Sequence, residues 1–198
     1  MRLIPLTIFI SIFCCLLSCA QSSIPNKAEQ IGAAVMAAPP GDREAAAVMG
    51  YDSNGELVLL REGTNNFICI ADNPNEEGFG VACYHRDLEP FMARGRALRA
   101  EGKNQAEVTE IRESEAKAGS LQMPEQPTTL HILFGENGKY DPASGKVSGA
   151  QYRYVVYIPW ATAESTGLPT KPLVPGGPWI MDPGTHKAHI MISPPKPE

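Results

Sequence analysis

The chain has 198 residues, 43% hydrophobic and 20% charged, with a formal net charge of -5. That length suits one domain with its own core, and the balance excludes a disordered acidic chain, a polytopic membrane protein, a collagen and a coiled coil. The negative charge leaves no basic field for nucleic acid, and 18 glycines with 18 prolines point to many turns and short elements.

Residues 1–18 read as an export signal. Arg2 is the positive start, and Leu3 to Leu17 is almost wholly apolar. The run is shorter than the roughly 20 residues of a spanning helix. Leu16-Leu17-Ser18-Cys19 resembles a bacterial lipobox. The resemblance implies a Cys19 thiol that is diacylated and becomes the mature N-terminus, so that the membrane is a partner through lipid. Ordinary cleavage before Gln21, with Ser18 and Ala20 as the small residues, is the alternative. Ala20 and Gln21 are not an inner-membrane retention signal in lipoprotein sorting. The expected address is therefore the bacterial outer membrane, facing the periplasm. Cleavage leaves 180 residues and removes Arg2 alone among the charged residues, taking the net charge to -6. With no polybasic patch, the anchor must be the lipid. Residues 19–26 are then a tether and residues 27–198 one domain.

Cys14 and Cys15 fall in the signal, which leaves Cys69 and Cys83, fourteen positions apart. In an exported chain such a pair is most simply a disulfide; a metal or redox pair is the alternative, without CxxC spacing to support it. It would close a loop from Ile70 to Ala82 and stabilise by roughly 3 kcal/mol on the chain-entropy model.

The elements follow in order. Asn26 to Ala38 reads as a short alanine-rich helix stopped by Pro39-Pro40. Ala45 to Tyr51, Glu56 to Arg61 and Phe67 to Ile70 read as strands, separated by the turns Asp52–Gly55 and Gly63–Asn66. These three are expected to form a meander. Leu88, Phe91, Gly95 and Leu98 recur at three and four, the apolar face of a helix that Gly102 ends. Asn104 and Glu107 have capping-box spacing for a second helix, with Val108 and Ile111 inward, Glu113, Glu115 and Lys117 toward solvent, and Gly119 as C-cap. The pair is a helix–turn–helix in shape only, since its second helix is acidic. Thr129 to Phe134, Tyr152 to Ile158 and His189 to Ser193 read as further strands, with a polar, turn-rich stretch at 135–149 and irregular chain at 167–177. The expected fold is α+β: a single domain with a small, mostly antiparallel sheet, helices packed on one side and one disulfide.

Chemistry has few candidates. Asp182, His186 and His189 are four and three residues apart, and His85 follows the second cysteine. Carboxylate and imidazole can hold a divalent ion or exchange protons. Pro183-Gly184 makes a turn, however, and residues three apart on a strand face opposite ways, so convergence needs a loop. The bland alternative is loop histidines that bond to backbone. Asp87 suits a first-turn cap, and His131 a core edge. Tyr152, Tyr154, Tyr157, Trp160 and Trp179 suit sheet packing, with an aromatic ligand groove as the rarer use. No serine sits in a G-x-S-x-G elbow, no phosphate-binding glycine motif occurs, and nothing calls for a cofactor.

Arg61-Glu62-Gly63-Thr64-Asn65-Asn66-Phe67-Ile68-Cys69, with Cys83 next and Leu88-Glu89-Pro90-Phe91-Met92 opening a helix, resembles a segment of uncharacterised exported bacterial proteins and lipoproteins. Pro183 to Ile192 looks like the family's closing proline–histidine–aliphatic strand, with His189 in the histidine place and Ala188 where the pattern has proline. The resemblance implies export and the cysteine pair, and carries no activity. The leading expectation is thus a lipid-anchored envelope domain, structural or binding an envelope protein or a small molecule, without enzymatic activity. The alternative is a metal-assisted or acid–base hydrolase using Asp182, His186, His189 and His85.

Overall fold

The computed structural model describes residues 24–195; the proposed signal, Cys19 and most of the tether lie outside them. The chain opens with helix α1 (Lys27–Ala34), which continues into a 3-10 turn at Val35–Ala37. Asn26 caps α1 through a 3.1 Å bond from the Glu29 N–H to its side chain. Strands β1 (Ala47–Tyr51), β2 (Leu57–Arg61), β3 (Phe67–Ile70) and β4 (Phe79–His85) follow. Helices α2 (Glu89–Ala100) and α3 (Gln105–Lys117) come next, then β5 (Thr128–Gly135), the small hairpin β6 (Lys139–Asp141) and β7 (Lys146–Ser148), and β8 (Gln151–Tyr157). A single-turn helix α4 (Ala163–Thr166), β9 (Trp179–Met181) and β10 (His189–Ile192) complete the fold.

Eight strands form one sheet in the order β2-β1-β3-β4-β5-β8-β10-β9, antiparallel except for the β1/β3 pair. The domain is therefore α+β with a mostly antiparallel sheet. The first three strands are not a meander. β1 lies between β2 and β3 and runs parallel to β3. After β2 the chain crosses tightly beneath the start of β1: the Thr64 N–H bonds to the Ala45 carbonyl at 2.8 Å. Gly63 permits this, because a Cβ there would lie 2.3 Å from the Ala47 nitrogen. The Arg61 guanidinium reaches the Ala46 and Arg43 carbonyls and holds the crossing.

The segment expected to be a crosslinked loop, Ile70 to Ala82, contains the first four residues of β4. β3 and β4 form a hairpin in which Cys69 stands directly opposite Cys83, and the two are disulfide-bonded. The connecting turn is wound by Asp72, whose carboxylate accepts the Gly80 N–H at 2.8 Å.

Helices cover both faces of the sheet, where one covered face was expected. The reason lies in β4, where Val81 and Cys83 point to one face and Ala82 and Tyr84 to the other, all apolar, so both faces need cover. The first face packs under α1 and its 3-10 turn through Ala33, Ala34, Ala37, Val48, Cys69, Val81, Cys83 and Leu133. Small alanines allow close approach; the Cys83 Sγ lies 3.3 Å from the Ala34 carbonyl oxygen. The second face packs under α2 and its flanks through Tyr84, Leu88, Phe91, Leu121, Leu130 and Val155. α3 begins with the expected capping box: Asn104 accepts the Ala106 and Glu107 N–H groups, and Glu107 accepts the Asn104 N–H.

Candidate functional site

The candidate polar residues enter the fold through the β9–β10 connection. Asp182, with φ +51°, and Gly184, with φ +77°, turn the chain sharply. The turn is stitched to the stretch after β8: the Gly184 N–H bonds to the Ala161 carbonyl at 2.7 Å, and the Trp160 N–H to the Thr185 carbonyl at 2.8 Å. Asp182 itself pairs with Lys187 at 3.2 Å.

This turn drives His186 fully into the space between α3 and the sheet. Its Nδ1 meets the Glu113 carboxylate, and its backbone N–H donates to the same Oε2 at 3.1 Å. The other Glu113 oxygen takes Lys117 at 2.8 Å. Burial alone would raise the Glu113 pKa. The hydrogen bonds from Lys117 and from the His186 ring and backbone instead hold it at about 2. Burial pushes the His186 pKa down, against the pull of Glu113. The consistent state at neutral pH is a neutral imidazole donating from Nδ1 to a carboxylate. Its Nε2 is buried and has no hydrogen-bond partner among the described residues. The rings of Phe91 and Trp160 flank it at 5.7 and 6.5 Å.

Arg112 lies beside this tie and is buried, with no ion-pair partner among the described residues. It donates from Nη1 to the Phe91 carbonyl at 3.1 Å and lays its guanidinium 3.9 Å over the Phe91 ring. Its Nε has no hydrogen-bond partner among the described residues. Burial lowers its pKa to about 10. Gly95 of α2 makes room for it, since a Cβ there would sit 2.9 Å from Nη1. Tyr157 packs edge-on against Phe91 at 5.4 Å, with its phenol pushed by burial up to about 12.

His189 is also buried but makes a different tie. It stands opposite Tyr157 in the β8/β10 register, with ring centroids 5.3 Å apart. Its Nδ1 meets the Lys187 carbonyl at 2.7 Å, and burial lowers its pKa. His85 does not join this group. Its Nδ1 accepts the Asp87 N–H at 3.3 Å and so caps the turn into α2. Its ring stacks edge-on with Phe67, on the opposite face of the sheet from Tyr157 and His189. His131 lies on that opposite face too, between Phe67 and Tyr154 at 5.9 and 5.5 Å. Asp182, His186 and His189 thus share one turn, but their side chains meet three separate groups: the Lys187 ammonium, the Glu113 carboxylate and the Lys187 carbonyl. Among the described residues no group of three His, Cys, Asp or Glu side chains is arranged to hold a metal ion.

A further recess lies elsewhere. A space of about 550 Å³ opens between α1, the β3–β4 turn and β6, walled by Phe79 and Tyr140, with Glu29, Asp72 and Glu76 at its edge. Asp72 has its pKa raised by burial, and the charge of Glu76 adds to the shift. The groove over Glu113, bounded by Thr109 and Lys187, is shallow.

Sequence reasoning missed Glu113 and Arg112. Glu113 was expected toward solvent. The signal that bears on it is that Arg112 stands four residues after Val108, on the apolar stripe, with Glu113 beside it at the edge. The chain matches no family model, no curated protein and no solved structure.

Proposed function

We propose that the protein is a lipid-anchored domain of the bacterial envelope, held at the outer membrane and facing the periplasm, which serves as a binding or structural module and not as an enzyme. One observation carries the non-catalytic part. Every side chain singled out for chemistry is engaged in holding the fold: Asp182 on Lys187, His186 on Glu113, His189 on the Lys187 carbonyl and His85 on the turn into α2. None of the four lines the recess between α1, the β3–β4 turn and β6. Export is supported by the apolar run before Cys19 and by a disulfide of the kind that persists in oxidising compartments. A small ligand with an apolar body suits the aromatic walls of the recess.

A second reading, an acid–base hydrolase, draws on one feature. Glu113 orients His186 as a carboxylate orients a general base, leaving the Nε2 lone pair unengaged. That nitrogen is sealed from solvent, so substrate would have to displace Trp160 or Phe91 to reach it. Hydrolysis of ester and amide model substrates by the folded mature protein, repeated with His186→Ala and His189→Ala, separates the readings. Turnover that disappears in the His186→Ala variant overturns the non-enzymatic proposal. Fatty-acid labelling should vanish in Cys19→Ala; labelling that persists sinks lipidation at that residue.

A further inference from the structure

The most exposed apolar side chains of the described chain stand together. Leu173 is 83% exposed and Val174 62%. They sit in a run, residues 170–175, in which every residue is exposed, and neither of the two lines the recess beneath the loop. Exposed apolar pairs of this kind are unfavourable in water and mark interaction sites.

The run is built to be stiff. Pro169, Pro172, Pro175 and Pro178 recur every third residue. The Ile180 N–H bonds to the Pro169 carbonyl at 2.9 Å and closes the base. The tip is a turn: the Gly177 N–H bonds to the Val174 carbonyl at 2.9 Å, with Pro175 second and Gly176 third at φ +78°. Proline followed by a positive-φ glycine is the signature of a type II turn. Leu173 and Val174 are therefore held outward, and little conformational entropy is lost on contact.

The charge around the tip is also distinctive. No Asp or Glu occurs between Glu164 and Asp182, in a chain that carries 22 acidic residues. Lys171 is exposed and has no ion pair among the described residues. Arg153 borders the recess beneath the loop with Pro172 and Trp179, and its contacts are Ser193 and the Phe134 ring, not a carboxylate.

We propose that the 170–175 tip inserts Leu173 and Val174 into the headgroup–acyl boundary of a phospholipid bilayer, with Lys171 among the headgroups. Size decides for lipid over a second copy or another protein. A stable protein interface takes roughly 800 Å² and about 20 residues from each side. This tip offers six exposed residues on a convex turn. A bilayer needs no complementary shape, and buried apolar area with nearby cations sets its affinity. The inference rests on the envelope-anchor reading only in that the anchor brings the domain beside a membrane.

The test is photocrosslinking in the producing cell with the full chain. Benzoylphenylalanine is installed singly at positions 173 and 174, and at Ala143, an exposed control on the β6–β7 turn. After irradiation, the peptide carrying 173 or 174 should gain a phospholipid mass with about tenfold the yield at 143, because only the tip is buried in lipid. Phospholipid adducts should be lost at 174 when Leu173→Asp is introduced. A crosslinked dimer, an adduct with another protein, or lipid adducts equal at all three positions would overturn the proposal, as would no adduct. Fatty-acid labelling of the same cells keeps the two readings apart. Tip adducts without Cys19 acylation sustain the insertion and remove the anchor. Acylation without tip adducts does the reverse.

Discussion

The two faces of the sheet are built from opposite materials. The α1 face is small-grained: mostly alanines and valines with Phe79, Leu133 and one disulfide, packed so closely that a sulfur rests against a helix carbonyl. The α2/α3 face has a larger aromatic core, but it also buries a guanidinium, two imidazoles and one side of a carboxylate. The first face gains stability from burial and crosslinking. The second accepts desolvation costs in exchange for fixing a distant turn against α3, as buried polar ties often do.

The contrast can be broken in order of expected size. Replacing Cys69 and Cys83 together by Ala should lower stability by about 3 kcal/mol in urea unfolding, since the crosslink limits the unfolded chain. A loss under about 1 kcal/mol would mean that the β3–β4 hairpin needs no staple. On the other face, Glu113→Ala leaves two donors of His186 buried without an acceptor and should cost about 2 kcal/mol. Hydrogen exchange should then rise first at residues 183–188, and uniform exchange would refute the tie.

Arg112→Met tests the same face with the opposite sign. It removes a buried charge that has no carboxylate partner and keeps the volume, so stability should rise by about 1 kcal/mol. Destabilisation would show that the Phe91 stacking and carbonyl contacts outweigh desolvation. The pH dependence sharpens the comparison further. His186, His189 and His131 all have folded pKa values lowered by burial. Their neutral forms contribute stability that is complete above the unfolded imidazole value of about 6.5 and is lost as pH falls through the lowered folded values. Glu113 adds stability present above its ordinary 4.5 and lost as pH falls toward about 2. Unfolding midpoints should therefore drop steadily from neutral pH into the acid range, and a flat profile between pH 7 and 5 would contradict the buried-neutral assignment. Smallest of all, His85→Ala should shift stability by less than about 0.5 kcal/mol, because its contacts are at the surface.

Local signals were legible in the chain. The capping box at Asn104 and Glu107, the apolar face Leu88, Phe91 and Leu98, and the turn at Asp52–Gly55 all form as the residues predict, because each is decided within a few residues. The cysteine pair was legible through composition. β4 was hidden because Gly80 interrupts it and the turn-rich stretch 72–78 precedes it. The parallel β1/β3 pairing was hidden because a turn at Gly63–Asn66 serves a hairpin and a crossing equally well; the partner is chosen by the Arg61 and Thr64 contacts. Of the site, the Asp182–His189 turn could be singled out, but not its tie. Glu113 and His186 lie 73 residues apart, and Arg112, though four residues after Val108, carries a charge that sequence reading sends to solvent.

The central claim is that His186 is a buried neutral tie and not a reactive base or ligand. Its ring nitrogens report this directly in a nitrogen-15 NMR titration of the folded protein. The structure predicts a neutral ring, protonated at Nδ1 and bare at Nε2, that titrates below the ordinary imidazole value and does not respond to added zinc. A midpoint at or above that value, a proton on Nε2, or a zinc-induced shift would contradict it.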